Sequence, residues 1–337
     1  MKTMSEHNKR VWLDVFGCDE PSAMISGAVM ALNEIEGISL VISGDVELLT
    51  KELKTRNCDM SRVELVEASQ IVTNDDNPAE AIMKKRDSSL FKSFLGLRTD
   101  KEAVGMVTAG STGAALVGSA AFLGRLPGIV FPALASYIPT YSGQMAILVD
   151  CGANVDCKPE ALKMFALLGS ALAESIGRSD PKVALVSVGT EKGKGNAFSK
   201  EAFAILSDSN INFVGNMEAR DAVSGKYDVM VCDGFTGNVL LKAVEGGALF
   251  VAKTFMTELK KVMPEDMYQT YAKKAFAATM GKIDMQSLGG AMILGVVKPV
   301  VKLHGSANEK SVSNGIRQLL ELGDGGFEEK AKALTAL

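Results

Sequence analysis

Five stretches of the chain join glycine to short polar side chains: DVFGCD (Asp14–Asp19), TAGSTG (Thr108–Gly113), DCGANVD (Asp150–Asp156), GTEKGKGN (Gly189–Asn196) and DGFTGN (Asp233–Asn238). Glycine admits close approach of the backbone to a ligand, and Asp, Asn, Ser and Thr hold tight turns. Several such turns at the carboxyl edge of a parallel sheet predict a polar cleft of backbone N–H groups and small side chains, suited to phosphate or a phosphate-like anion. The strongest instance is DGFTGN. A valine-rich run, Val229 to Cys232, precedes it, and Val239, Leu240, Leu241, Ala243 and Val244 follow at helical spacing. A strand that turns straight into a helix leaves amides at the helix start, where the dipole favours an anion. An ordinary βα turn fits the same residues.

Other chemistries fit less well. No GxGxxG follows the first apolar run, and Lys194 stands where a P-loop would need its second glycine. Ala109-Gly110-Ser111-Thr112-Gly113 is close to a nucleophile elbow, and Ser111, Asp233 and His304 follow the chain order of an α/β-hydrolase triad. Against a thioesterase of that kind, Ala109 replaces the first glycine and no HGGG-type segment is present. The chain holds only His7 and His304. Covalent acyl transfer wants a base beside its nucleophile, whereas phosphate attacking a thioester is its own nucleophile and needs positioning and charge neutralisation. Cys18, Cys58, Cys151, Cys157 and Cys232 form no CxxC pair, so reduced, packed thiols are expected and no metal site.

Apolar runs at Val11–Gly17, Ile38–Gly44, Val63–Ala68, Ala103–Ala109, Ile129–Pro139, Gln144–Val149, Lys182–Val188, Ile211–Val214, Val229–Cys232 and Gly289–Val301 alternate with helical patterns. That alternation predicts an α/β fold with a mostly parallel sheet covered on both faces and its ligand site at strand carboxyl ends. The helix after DGFTGN is expected to reach about Val262, with a second helical segment from Asp266 to Lys282. With 337 residues, 47% of them hydrophobic, the chain can build one large domain or two closely joined ones, and a net charge of −4 offers nucleic acid no basic field. The opening MKTMSEHNKR carries no apolar secretory core, and no apolar run is long enough to span a bilayer. A cytoplasmic protein is the expectation.

Taken together, these motifs resemble the acyl-ACP:phosphate acyltransferases of bacterial phospholipid synthesis, the PlsX family. The matching segments also include RDSS (Arg86–Ser89), VDCGANVDCKPEAL (Val149–Leu162), KGN (Lys194–Asn196), FVGNMEARD (Phe213–Asp221) and HGS (His304–Ser306), covering nearly the whole chain. The resemblance implies a single Rossmann-like, three-layer phosphate acyltransferase domain over 1–337, similar to isopropylmalate dehydrogenases and phosphotransacetylases. It implies a reaction of acyl-ACP with inorganic phosphate to give acyl phosphate and free acyl carrier protein, with no metal or nucleotide cofactor. The product feeds a membrane glycerol-3-phosphate acyltransferase. A homodimer is implied, with peripheral contact at the inner face of the membrane through a helical hairpin at about 246–282. Leu249, Phe250, Val251, Phe255, Met256, Leu259, Val262 and Met263 supply its apolar surface, which serves equally as a buried dimer helix.

By position, Lys194 would bind phosphate or polarise the thioester, and Asn238 with the amides of Gly234 to Asn238 would hold the anion or oxyanion. Asp14, Gly17, Gly110, Ser111, Thr112, Gly113 and His304 join the phosphate-binding cleft. Asp150, Asn154 and Asp156 orient it, and Asp233, with Thr236 and Gly237, fixes the turn. Lys84, Lys85 and Arg86 offer a docking patch for the acidic carrier protein. The chain departs from the family where DAMGGD has become DVFGCD, SAGNTG has become TAGSTG, and GEE has become Gly189-Thr190-Glu191. Such changes suit a retuned acyl donor, or a paralogue that binds the carrier protein without catalysis.

Overall fold

The computed structural model describes residues 9–283 and 288–335, so the polar opening 1–8, with His7, and residues 284–287 and 336–337 lie outside the described residues. The chain begins with β1 (Lys9–Asp14), α1 (Pro21–Glu34), β2 (Ile38–Gly44), α2 (Val46–Thr55), β3 (Val63–Glu67), α3 (Pro78–Lys84), α4 (Ser89–Thr99), β4 (Ala103–Thr108) and α5 (Thr112–Gly118). It continues through β5 (Ala133–Pro139), β6 (Met145–Val149), α6 (Pro159–Ser175), β7 (Val183–Ser187), α7 (Ala197–Ser207), β8 (Phe213–Glu218) and β9 (Val229–Val231). It ends with α8 (Gly234–Val262), α9 (Glu265–Met267), α10 (Lys273–Ile283), β10 (Ala291–Leu294), β11 (Val300–Lys302), α11 (Glu309–Asp324) and α12 (Phe327–Thr335).

Local chemistry sets these boundaries. Proline opens α1, α3 and α6, where its missing N–H costs nothing. Side chains of Asp45, Asn77, Ser88, Ser111, Asn196, Asp233 and Asn308 accept hydrogen bonds from the first-turn amides of α2, α3, α4, α5, α7, α8 and α11. The strands are near-continuous apolar runs because both sheet faces are covered. One core layer packs α1, α6 and α11 residues such as Leu32, Phe165 and Ile316 on one face; the other packs Phe94, Ala114 and Leu241 opposite. Burying a side chain such as Phe165 contributes about 1.5–3 kcal/mol.

The sheet has 11 strands in the order β3-β2-β1-β4-β11-β10-β5-β6-β9-β7-β8. Its directions differ from the single parallel edge expected. Strand β10 is antiparallel to both β11 and β5, and β6 is antiparallel to β5. Consequently β3, β2, β1, β4, β11 and β5 run one way, while β10, β6, β9, β7 and β8 run the other. The glycine turns therefore approach the middle of the sheet from two opposed sets of strands. The run Gly289–Val301 is a hairpin rather than one strand, because Gly295 (φ +86°) takes a left-handed conformation and Pro299 interrupts the ladder.

Helix α8 leaves the body early. Its buried residues are Gly234, Gly237, Leu240 and Leu241, all near its start. Beyond them Phe250, Val251, Phe255 and Val262 are between 63% and 77% exposed, so this apolar surface is uncovered among the described residues. The chain returns through α9, a π-helical turn (Tyr268–Ala272) and α10, with Tyr268 and Ala272 buried. Among the described residues, no helix is long and apolar enough to cross a membrane.

Candidate active site

A cavity of about 410 Å³ lies where the strand directions reverse. Leu134 and Ser136 of β5 and Ala291 of β10 form its floor. Thr112 at the start of α5, with Lys302, Leu303 and His304 at the end of β11, forms one wall. Cys151, Gly152 and the α8 residues Asn238, Leu241, Lys242 and Glu245 form the other.

The α8 wall is held by a dense turn. Asp233 accepts hydrogen bonds from the Thr236 amide (2.8 Å) and hydroxyl (2.7 Å), capping the helix with its own carboxylate. The Gly234 amide donates to the Asn154 carbonyl at 2.9 Å, and the Gly237 amide to the Asp233 carbonyl at 2.9 Å. These amides, expected to face an anion, are thus satisfied within the protein. The glycines serve packing instead: a Cβ at Gly237 would lie 1.9 Å from the Asp150 carbonyl oxygen, and one at Gly234 would lie 2.9 Å from Asn154 backbone. Of the turn DGFTGN, Asn238 is the residue that lines the cavity.

Asp150 organises the neighbouring loop. Its Oδ1 accepts from the amides of Leu134, Gly152 and Ala153, and its Oδ2 from the Asn154 amide and side chain. Asn154 Nδ2 also donates to the Pro132 carbonyl at 2.9 Å. Asp150 is wholly buried and saturated, so it positions rather than reacts. Asp156 is exposed beyond this loop.

The opposite wall is built on β1, β4 and β11. Asp14 is 1% exposed and accepts from the Thr108 hydroxyl at 2.8 Å. Burial pushes its carboxyl up to about 6, opposed by the hydroxyls of Ser89 and Thr108. The Thr108 hydroxyl also accepts from the Gly110 amide at 3.0 Å. Gly17 (φ +79°) passes against Val72, and Gly113 lies against Pro78. Lys302 is 8% exposed, and its Nζ donates to the carbonyls of Ala109 (3.4 Å) and Leu303. Burial pulls its ammonium down to about 8, while Cys18, Asp14 and Asp19 oppose that fall. His304 is held below its ordinary value by burial, then by Lys242 and Lys302, and its Nδ1 lies 2.8 Å from the Ser306 hydroxyl.

Of the predicted residues, Thr112, Asn238 and His304 share the cavity lining, with Asp14, Gly110, Asp150 and Asn154 in the turns behind it. Lys194 is exposed on the loop after β7 and stands outside the lining. The three residues in hydrolase order are engaged separately: Ser111 Oγ accepts from the Ala114 amide, Asp233 caps α8, and His304 pairs with Ser306. Cys151 and Cys232, wholly buried, have thiols pushed well above their ordinary value by burial, and Cys18 and Cys157 are pushed up to about 11 for the same reason. None is an activated thiolate. In the basic cluster, Lys84 pairs with Glu80 and Lys85 with Asp76, leaving less free charge than the sequence suggested.

Sequence reasoning missed Lys302, Lys242, Glu245 and Ser136. Lys302 did carry a signal, since it interrupts the apolar run Val300-Val301-Lys302-Leu303. A lysine inside a strand that reads as buried needs a reason to be there.

The arrangement matches known proteins along its length. A family model described as "Fatty acid synthesis protein" matches residues 9–330. A phosphate acyltransferase of Brevibacillus brevis is 38% identical over 310 residues, covering 91% of each chain. One of Syntrophomonas wolfei is 40% identical over 311 residues, covering 91% of this chain and 92% of the relative. Among solved structures, a phosphotransacetylase from Streptococcus pyogenes superposes with a TM-score of 0.63 at 18% identity, covering 94% of each chain. The EutD phosphotransacetylase from Staphylococcus aureus gives 0.59 at 18% identity, covering 97% of this chain and 94% of that one. The structural likeness speaks for the α/β fold, with its mostly parallel sheet between helical layers. The sequence match decides the family: this chain belongs to the fatty acid synthesis protein family.

Proposed function

We propose that this protein is a phosphate acyltransferase, moving the acyl group of acyl-ACP to inorganic phosphate and releasing acyl phosphate and free carrier protein for phospholipid synthesis. The observation that carries this reading is the cavity's chemistry. An amide side chain (Asn238), two lysines (Lys302 and Lys242) and His304 surround one space with no activated nucleophile among its lining residues. Such a site neutralises and positions an anion that is itself the attacker. The relatives' shared name supports the same reaction. A thioesterase working through Ser111 and His304 is disfavoured, because each is bonded elsewhere.

In this reading Asn238 holds the oxygen that gains charge as the thioester carbonyl is attacked. Thr112 and His304 contact the phosphate. Asp14, Gly17, Gly110, Ser111 and Gly113 shape one wall, and Asp150, Asn154, Asp233, Gly234, Thr236 and Gly237 hold the other in place. Lys194, on the same sheet edge as Asp150 and Asp233, meets the anion as substrate enters, and Asp156 lies at that entrance.

The protein works in the cytoplasm as a homodimer, one catalytic unit per chain. The apolar residues exposed on α8, with the exposed Lys253 and Lys260 of the same helix, favour peripheral contact of the hairpin with an anionic membrane face. There acyl phosphate passes to a glycerol-3-phosphate acyltransferase. The test is product identity. Purified protein with acyl-ACP and phosphate should yield acyl phosphate, trapped as its hydroxamate, in step with free carrier thiol. Free fatty acid in place of hydroxamate would point to a thioesterase, and carrier binding without either product to a scaffold.

A further inference from the structure

We propose that Lys302 is the proton donor to the sulfur that leaves when phosphate attacks the acyl thioester. The inference rests on the phosphate acyltransferase reading and adds to it the residue that completes the reaction. Attack by a phosphate oxygen forms a C–O bond to the acyl carbon and breaks the C–S bond. The electron pair of that bond goes to sulfur. The ammonium of Lys302 gives the sulfur a proton, and the proton that HPO4 2− loses on acylation returns to the lysine amine. Thioester and HPO4 2− thereby become acyl phosphate and neutral thiol, with the enzyme unchanged.

Placement singles out Lys302. It closes β11, at the wall opposite Asn238, and its side chain is 8% exposed while lining the cavity. Its Nζ donates to the Ala109 and Leu303 carbonyls, and an ammonium has a third donor to offer a ligand. The charged and titratable groups facing it are Asp14 from β1, Cys18 and Asp19 from the loop after β1, Lys242 from α8 and its neighbour His304. The acids keep the buried lysine protonated enough to act, and burial keeps the proton loose; the value of about 8 lies close to the roughly 8.5 of an alkyl thiol. Proton transfer is most effective when donor and acceptor are matched in this way. The other cavity groups suit the task less. Lys242 is tied to Glu245 at 2.7 Å, His304 is held toward its neutral form, and the Cys151 thiol keeps its proton.

The role is tested by changing the leaving group. An aryl thiolate departs at neutral pH without a proton, whereas the alkyl thiolate of the carrier arm benefits from one. Wild type, Lys302→Met and Lys302→Arg are compared with acyl-ACP and with the S-phenyl thioester of the same acyl group, both with phosphate. Arginine keeps the charge but does not release its proton. Lys302→Arg is expected to lose about 10²–10⁴-fold with acyl-ACP and less than about tenfold with the S-phenyl ester, whereas Lys302→Met, which also removes a charge beside the phosphate, loses turnover with both donors. Retained turnover of the aryl ester by Lys302→Arg also shows that this variant is folded. Equal losses of Lys302→Arg with both donors, or its full rate with acyl-ACP, would overturn the proton-donor role. Wild type that makes no acyl phosphate from acyl-ACP would instead refute the phosphate acyltransferase reading itself.

Discussion

Asn238 and Asp14 show two ways a polar side chain serves this site. Asn238 lines the cavity from a turn whose Gly234, Thr236 and Gly237 amides are already taken, so its carboxamide is the polar side chain that DGFTGN offers there. Asn238→Ala should lower turnover by about 10²–10³-fold, the loss seen when one oxyanion donor is removed. Its thermal midpoint should stay within a degree or two of wild type by about the allowance for a surface substitution; a wild-type rate would remove Asn238 from the chemistry. Asp14 is buried, with its carboxyl raised to about 6 from 3.8. Below the lower value the acid is protonated in both folded and unfolded states. As pH rises toward the upper value, the unfolded chain ionises first and gains, so the stability Asp14 contributes is lost between about pH 4 and 6, on the order of 3 kcal/mol. Denaturant unfolding across that window should show a falling slope in wild type that Asp14→Asn reduces; parallel slopes would contradict the burial account. The sequence exposed both residues through their turns. It could not tell that the Gly234 amide closes onto the Asn154 carbonyl, because that depends on a loop from another strand.

At the scale of elements, α8 carries part of the cavity wall and an exposed apolar surface on one continuous rod. Its boundaries, Gly234 to Val262, match the helix expected from the spacing of apolar residues. Its glycines divide by context. Gly237 packs against Asp150, so Gly237→Ala forces the turn open and should cost about 1–3 kcal/mol, the range for overpacking, along with much of the activity through Asn238. Gly246, also in α8, has nothing within 4 Å of a Cβ, and Gly246→Ala should stabilise the helix by about 0.5–1 kcal/mol. Urea unfolding of both variants checks the contrast; the same sign for both would contradict it. Strand β11 illustrates what remained hidden. The run Gly289–Val301 reads as one apolar strand, and only its fold into the β10–β11 hairpin turns Lys302 into the cavity. Periodicity reports burial, whereas the reversal of direction comes from pairing with β5, which no local pattern encodes.

For the whole molecule, alternation of strand and helix made the α/β class legible, and several of the glycine turns gather at the cavity, while the turn of Lys194 stands outside its lining. The opposed directions of the two strand sets were not legible, so a single row of turns in sequence became two facing walls in space. The cavity between them opens beside a helix whose outer part exposes Phe250 and Phe255. A Phe250→Ser, Phe255→Ser variant should cosediment less with vesicles containing anionic phospholipid while making acyl phosphate in solution at the wild-type rate. Undiminished sedimentation would assign these residues to another contact, such as a dimer face. The claim on which the account turns is that phosphate attacks the thioester directly, with no acyl group held on the protein. Single-turnover mixing of excess protein with acyl-ACP, with and without phosphate, tests it by following thiol release and the intact mass of the protein. The account predicts thiol release only when phosphate is present and a protein mass that never changes; a burst of thiol without phosphate, matched by protein heavier by one acyl group, would contradict it.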